Sequence, residues 1–195
     1  MRSPGILTAR YKPVTRRFLQ TLVLTLGLGP LQCATLERLS LDDMIVKSTA
    51  IVRGKVTATY AALSGPIVYT HYNLQVSERF KGPSQGPVDV AVPGGTLNGV
   101  RHMVEGAPEF HVGEEYVFFL YTGKSGLAQV MGMTQGFFSL AQDGADPTGT
   151  RRNSRELMLD PHTGQPTKDE TLVMRVSELR ARVAATLAAG KGAAK

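Results

Sequence analysis

The sequence predicts a mainly β domain, a small antiparallel barrel with a helix at each end. Three observations point there. Runs with period-two alternation recur between Gly- and Pro-rich turns from Ala50 to Leu159. A capped apolar stripe at helical spacing precedes them and another follows them. Once an apolar N-terminal segment is set aside, the 161 residues from Thr35 onward suffice for one ordinary domain, without a fixed-period repeat.

That N-terminal segment reads as a secretory signal peptide. Arg10, Lys12, Arg16 and Arg17 precede the apolar run Phe18–Leu28, "FLQTLVLTLGL". Gly27, Gly29 and Pro30 break the run, and the small residues Cys33 and Ala34 follow. Cleavage is expected after Ala34. The run is too short for a bilayer, which takes about 20 residues, so no transmembrane span is expected after cleavage. A retained anchor is the competing reading. A lipid anchor at Cys33 is another, although Pro30 and Gln32 depart from the Leu-x-small-Cys pattern of lipoprotein signals. The expected organisation is a signal peptide at 1–34, one exported (periplasmic or extracellular) domain at 35–190, and a frayed tail at 191–195.

Cleavage changes the charge argument. The chain carries 22 basic and 16 acidic residues, net +6. Removing the five basic residues of the first 34 leaves 17 against 16, net +1. No basic patch with aromatic partners survives, so nucleic acid is not an expected partner. The one local basic cluster, "RRNSR" (Arg151 to Arg155), reads as a solvated loop or strand face. Without Cys33 the chain has no cysteine, and its core alone must hold it together.

"SLDDMIVKS" predicts a short helix capped by Ser40, with Asp42 and Asp43 in its first turn, where the helix dipole favours negative charge. "AIVRGKVTATY" then puts Val52, Gly54, Val56, Ala58 and Tyr60 on one face of a strand. "SGP" breaks it. "YTHYNLQVSERF" puts Tyr72, Leu74, Val76 and Phe80 inward and His71, Asn73 and Gln75 outward. "VDVAVPGG" is a valine strand ended by Pro93-Gly94-Gly95. Thr96 to Gly113 shows no clear period and reads as a long loop, of a kind that is often functional or mobile. "YVFFLY" (Tyr116 to Tyr121) is a strand buried on both faces. "GLAQVMG", "GFFSLAQ" and "RELML" are further strands, with "DGADPTG" a turn. "SELRARVAATLAAG" is a helix capped by Ser177, stopped by Gly190, with Leu179, Val183 and Leu187 on one face. Five to seven short strands between two helices fit a five-stranded OB-like barrel, with a β-sandwich as the alternative.

The order "AIVRGKV", "YTHYNLQVSERFKG", "VDVAVPGG", "VGEEYVFFL" resembles the netrin-module and TIMP-like superfamily between about Ala50 and Leu140. It also resembles secreted bacterial domains of unassigned function. The resemblance implies an OB-fold barrel. It does not carry over metalloprotease inhibition, which in that family needs a disulfide-tied N-terminal cysteine.

The chemistry-bearing residues are sparse. The four histidines, His71, His102, His111 and His162, form no His-x-x-x-His pair, and no zinc signature survives. In "EFHVGEEYVFFLY", Gly113 reads as a turn, and a strand would send Glu114 and Glu115 to opposite faces. No Gly-x-Ser-x-Gly elbow is present, and "PGGTLNG" lacks the Gly-Lys-Ser/Thr of a phosphate loop. With no Trp, a glycan platform is disfavoured. No catalytic residue, metal ligand or cofactor is expected. The expectation is a binding domain for a protein or peptide, using His71, Asn73, Gln75, Asn98, Arg101, His102, Glu105, Glu109 and His111. The alternatives are a hydrolase with His102 or His111 as base beside Glu105 or Glu109, and a TIMP-like inhibitor.

Overall fold

Residues 35–154 and 156–192 are described by the computed structural model, with main chain only at 191 and 192. The expected signal peptide, Cys33 and Arg155 lie outside the described residues. The chain runs through β1 (Thr35–Glu37), α1 (Leu41–Lys47), β2 (Ala50–Ser64), β3 (Ile67–Lys81), β4 (Val88–Pro93), β5 (Gly95–Leu97) and β6 (Val100–His102). It continues through β7 (Glu115–Thr122), β8 (Ala128–Val130), a 3-10 turn (Met133–Gly136), β9 (Phe137–Ala141), β10 (Thr148–Arg151) and β11 (Leu157–Leu159). β12 (Pro166–Thr167), β13 (Leu172–Arg175) and α2 (Val176–Gly192) complete it. The protein is mainly β, built on one eight-stranded sheet in the order β13-β10-β9-β7-β2-β3-β4-β8.

The first helix forms as its sequence dictates. The Ser40 hydroxyl accepts the Asp43 N–H at 3.0 Å, and the Asp43 carboxylate accepts the Ser40 N–H at 3.3 Å, a reciprocal capping box. Met44 and Ile45 bury the face that the apolar spacing marks.

β2 and β3 form a long hairpin across Gly65-Pro66. β2 does not keep one face throughout. A register shift between Val56 and Ala58 leaves Thr57 unpaired, and Ala58 then stands opposite Asn73. Such a bulge moves every later side chain to the other face. Val52, Gly54 and Val56 are buried, as the alternation predicts, but Ala58 and Tyr60 are exposed on the opposite face.

The two faces of the β2–β7 region carry two cores. Val52, Val56, Tyr72, Leu74, Val90, Tyr116, Phe118 and Leu120 pack on one side. Ile51, Val117, Phe119 and Phe138 pack on the other against Met44, Ile45, Leu179 and Val183 of the helices. This is why "YVFFLY" is apolar without alternation: both faces of β7 are covered, and only Tyr121 emerges. Each fully buried large apolar side chain contributes about 1.5–3 kcal/mol.

Several expectations are corrected. The stretch from Thr96 to Gly113 is not wholly irregular. β5 and β6 form a hairpin whose two-residue turn is Asn98-Gly99, with φ of 51° and 79°. Positive φ at both positions is the turn that Asn-Gly favours. The C-terminal helix starts at Val176 and runs through Gly192. Ser177 lies inside it, donating its N–H to the Asp146 carboxylate at 3.0 Å, and Gly190 does not stop it. The frayed tail therefore does not begin at 191. β10 and β13, read as turn or unassigned, add two strands to the sheet edge.

Arg151 corrects the reading of "RRNSR". It is buried on β10, and its guanidinium meets the buried Asp169 carboxylate at 3.0 Å, with side-chain exposures of 3% and 2%. Asp169 also accepts the Ser154 N–H at 2.8 Å. Burial lowers the Arg151 pKa, and the Asp169 charge opposes that. Removing one partner of a buried pair strands the other charge, at about 3–5 kcal/mol. Asp169→Asn is expected to lose about that much in urea unfolding, and Arg151→Met/Asp169→Leu to recover most of it. A single variant as stable as the parent would refute the assignment.

Candidate functional site

Three of the clefts among the described residues, and one side-chain cluster, lie against the large sheet. The first cleft, about 510 Å³, lies beneath the β5–β6 hairpin and is lined by Thr59, Thr70, Tyr72, Arg101, His102, Met103, Val104 and Glu109, among others. Glycine shapes it. At Gly94 (φ +99) a Cβ would come within 3.1 Å of the His102 carbonyl oxygen. The Gly94 N–H donates to Val68 at 2.8 Å, so the hairpin folds back over the sheet.

The segment after β6 returns to the core at Phe110. Its ring makes edge contacts with Tyr72, Tyr116, Phe118 and Phe137 at centroid distances of 4.9–5.2 Å. Between these two anchors Met103 and Val100 face water, 79% and 58% exposed. Leu63 and Ile67, at the tip of the β2–β3 hairpin beside Val68, are exposed as well.

A second cleft, about 450 Å³, holds Glu109, His111, Glu114, Thr134, Arg152, Ser154 and Glu156. Thr134 and Ser154 hydroxyls lie 3.0 Å apart, and Ser154 donates to Glu156. The Tyr116 hydroxyl donates to Glu114. Burial, reinforced by that carboxylate, pushes the Tyr116 phenol up to about 12.

The third cleft, about 660 Å³, is built on Glu115. Arg53 grips its carboxylate with two hydrogen bonds of 2.9 and 2.8 Å, and Ser77 and Gln142 each donate at 2.8 Å. Burial works to raise this pKa; the Arg53 fork, Ser77 and Gln142 outweigh it and hold the carboxyl below its ordinary 4.5.

The expected site residues fall in different places. Arg101, His102 and Glu109 meet at the first cleft, with Asn98 in the hairpin turn and Glu105 exposed nearby. His111 lines the second cleft with Glu109, apart from His102. Gln75 lines the third, and Asn73 is exposed on the strand face. Of the two roles its strand position allows, solvated or cross-strand, His71 takes the cross-strand one. It is buried, stacked under Tyr60 at 4.7 Å, and its Nδ1 lies 2.9 Å from Asp89. The Tyr60 hydroxyl donates to the same Asp89 oxygen at 2.9 Å. Sequence reasoning missed Tyr60 because the bulge was invisible to it. Asp89 carried a signal, a charge at the outward position of a valine strand.

Among the described residues no group of three or more His, Cys, Asp or Glu is placed to hold a metal ion. No helix among them is long and apolar enough to cross a membrane. No protein-family model matches the chain, and no curated protein matches it.

Glu115 gives a pH prediction. Its pKa is lowered on folding, so its stabilising contribution is present above pH 4.5 and is lost as pH falls through the folded value. Glu115→Gln is expected to reduce stability at neutral pH and to flatten the loss on acidification. Urea midpoints between about pH 7 and pH 3 measure it; parallel profiles for the two proteins would contradict it.

Proposed function

We propose that this chain is an exported binding domain with an OB-like barrel, taking a protein or peptide partner and carrying out no reaction on it. The strand pairings support the barrel. β8 pairs in parallel with β4 and antiparallel with β7, so the circuit β7–β2–β3–β4–β8 has a hydrogen-bonded link at every step. Four of these five strands, β2, β3, β4 and β7, carry the netrin-module-like motifs. Folds of this kind commonly bind through loops at one end and through one strand face, an analogy of fold only.

The observation that carries the binding reading is the exposure of Met103 and Val104 in the lining of the first cleft, with Val100 exposed on the adjoining β6. Apolar side chains held in water by a hairpin and a core-anchored loop mark an interaction surface. Arg101, His102 and Glu109 beside them supply the polar contacts that would fix a peptide's register. The hydrolase alternative has His102 with Glu109 in the first cleft and His111 with Glu109 in the second, but among the described residues no side-chain hydrogen bond joins either histidine to a carboxylate that would orient it as a base.

Two measurements test this. The mass of the exported protein is expected to place Thr35 at its N-terminus; an intact leader would remove the export reading. Val100→Lys/Met103→Lys, an exposed pair, is expected to keep the melting curve and to weaken capture of the partner from the exported fraction about tenfold or more. Unchanged capture by a folded double variant would rule this surface out.

A further inference from the structure

The far half of β2 presents an open edge. From Ala50 to Lys55 this strand lies between β3 and β7. Past Val56 only β3 accompanies it. From Thr57 to Leu63 no strand among the described residues is hydrogen-bonded to the side away from β3, and Thr57, Ala58, Thr59, Tyr60 and Leu63 are exposed. A row of unpaired N–H and C=O groups is a template for another strand, and proteins usually blunt it with Lys, Pro or an inward charge. Here no Asp, Glu, Lys or Arg stands between Lys55 and Glu78, and Pro66 lies beyond the edge, in the turn. The largest side chain is turned away from the edge. Tyr60 stacks on His71 of β3 and reaches Asp89 of β4, so its ring lies over the sheet.

We propose that this edge joins two copies of the chain, the Thr57–Leu63 segments pairing antiparallel about a two-fold axis at Tyr60. The sequence of the edge favours a second copy over a foreign strand. A foreign strand gains specificity from pockets for its alternate side chains, and Ala58, Thr59, Ala61 and Ala62 build none. Self-pairing sets Ala58 opposite the partner's Ala62 and Thr59 opposite the partner's Ala61, small neutral pairs that permit the usual strand spacing of about 4.8 Å. No like charges meet. The contact is isologous, so it uses the β2 edge of both copies and leaves neither of those edges to propagate into a fibre.

The test is sedimentation equilibrium of the exported protein over a concentration series. The parent is expected to show a reversible monomer–dimer equilibrium. Ala58→Lys/Ala62→Lys faces lysine with lysine twice and is expected to raise the dissociation constant about tenfold or more. Ala58→Lys/Ala62→Glu faces opposite charges at the same positions and is expected to restore the dimer. Lys/Lys protein mixed with Ala58→Glu/Ala62→Glu protein is expected to form mixed dimers, which shows that both variants fold. A parent that stays monomeric throughout, or a dimer indifferent to all three charge patterns, overturns the proposal.

Discussion

Two main-chain hydrogen bonds at Val56 set the plan of this domain. Its N–H donates to the Glu114 carbonyl at 2.9 Å, and its carbonyl accepts the Gly113 N–H at 2.8 Å. They mark the last point at which β2 has a neighbour on both sides. Before them, β2 is a central strand with covered faces and Val, Ile and Gly in its sequence. After them comes the Thr57 bulge, the side chains change faces, and the strand continues as one arm of a projecting hairpin. Gly113 can serve there because its φ of +95° suits glycine and strains other residues.

That division organises everything else. The first half of β2 is common to both cores, so it ties the helices to the sheet. The second half carries no hydrophobic load and is free to hold surface features: the Tyr60–His71–Asp89 cluster on one face, and the cleft beneath the β5–β6 hairpin on the other. Buried polar groups secure the periphery. Gln135, from the 3-10 turn, accepts the Leu39 N–H at 2.8 Å and donates to the Glu37 carbonyl at 2.9 Å, fixing β1 beside α1. Arg151 and Asp169 do the same for the residues between β10 and β13.

What was legible in the sequence follows from the range of the forces involved. The α1 cap, the β3 alternation and the doubly buried β7 are set by neighbours within a few residues, and each was readable. The Asn98-Gly99 hairpin was missed, because its flanking strands are only three residues each and show no period of their own. The burial of His71 and Arg151 was not readable, because each depends on a partner far along the chain, Asp89 or Asp169, that only the fold brings near. The bulge hid for a different reason. Val56, Ala58 and Tyr60 continue the alternation in sequence, and a single unpaired residue leaves no mark in composition.

The segment between His102 and Phe110 shows how the core governs the surface. An exposed run with Met103 and Val104 would by itself lose much conformational freedom on meeting a partner. Here both of its ends are fixed, one by the β5–β6 turn and Gly94, the other by the Phe110 ring among four aromatic neighbours. Pro108, buried within the segment, restricts it further. Fixing a loop before binding removes part of the ordering entropy that would otherwise oppose association, about 0.5–1.5 kcal/mol for each flexible side chain held. The aromatic packing inside the sheet therefore acts on the exposed surface: under the binding reading proposed above, a change at Phe110, which also lines the first cleft, would weaken binding by loosening the segment.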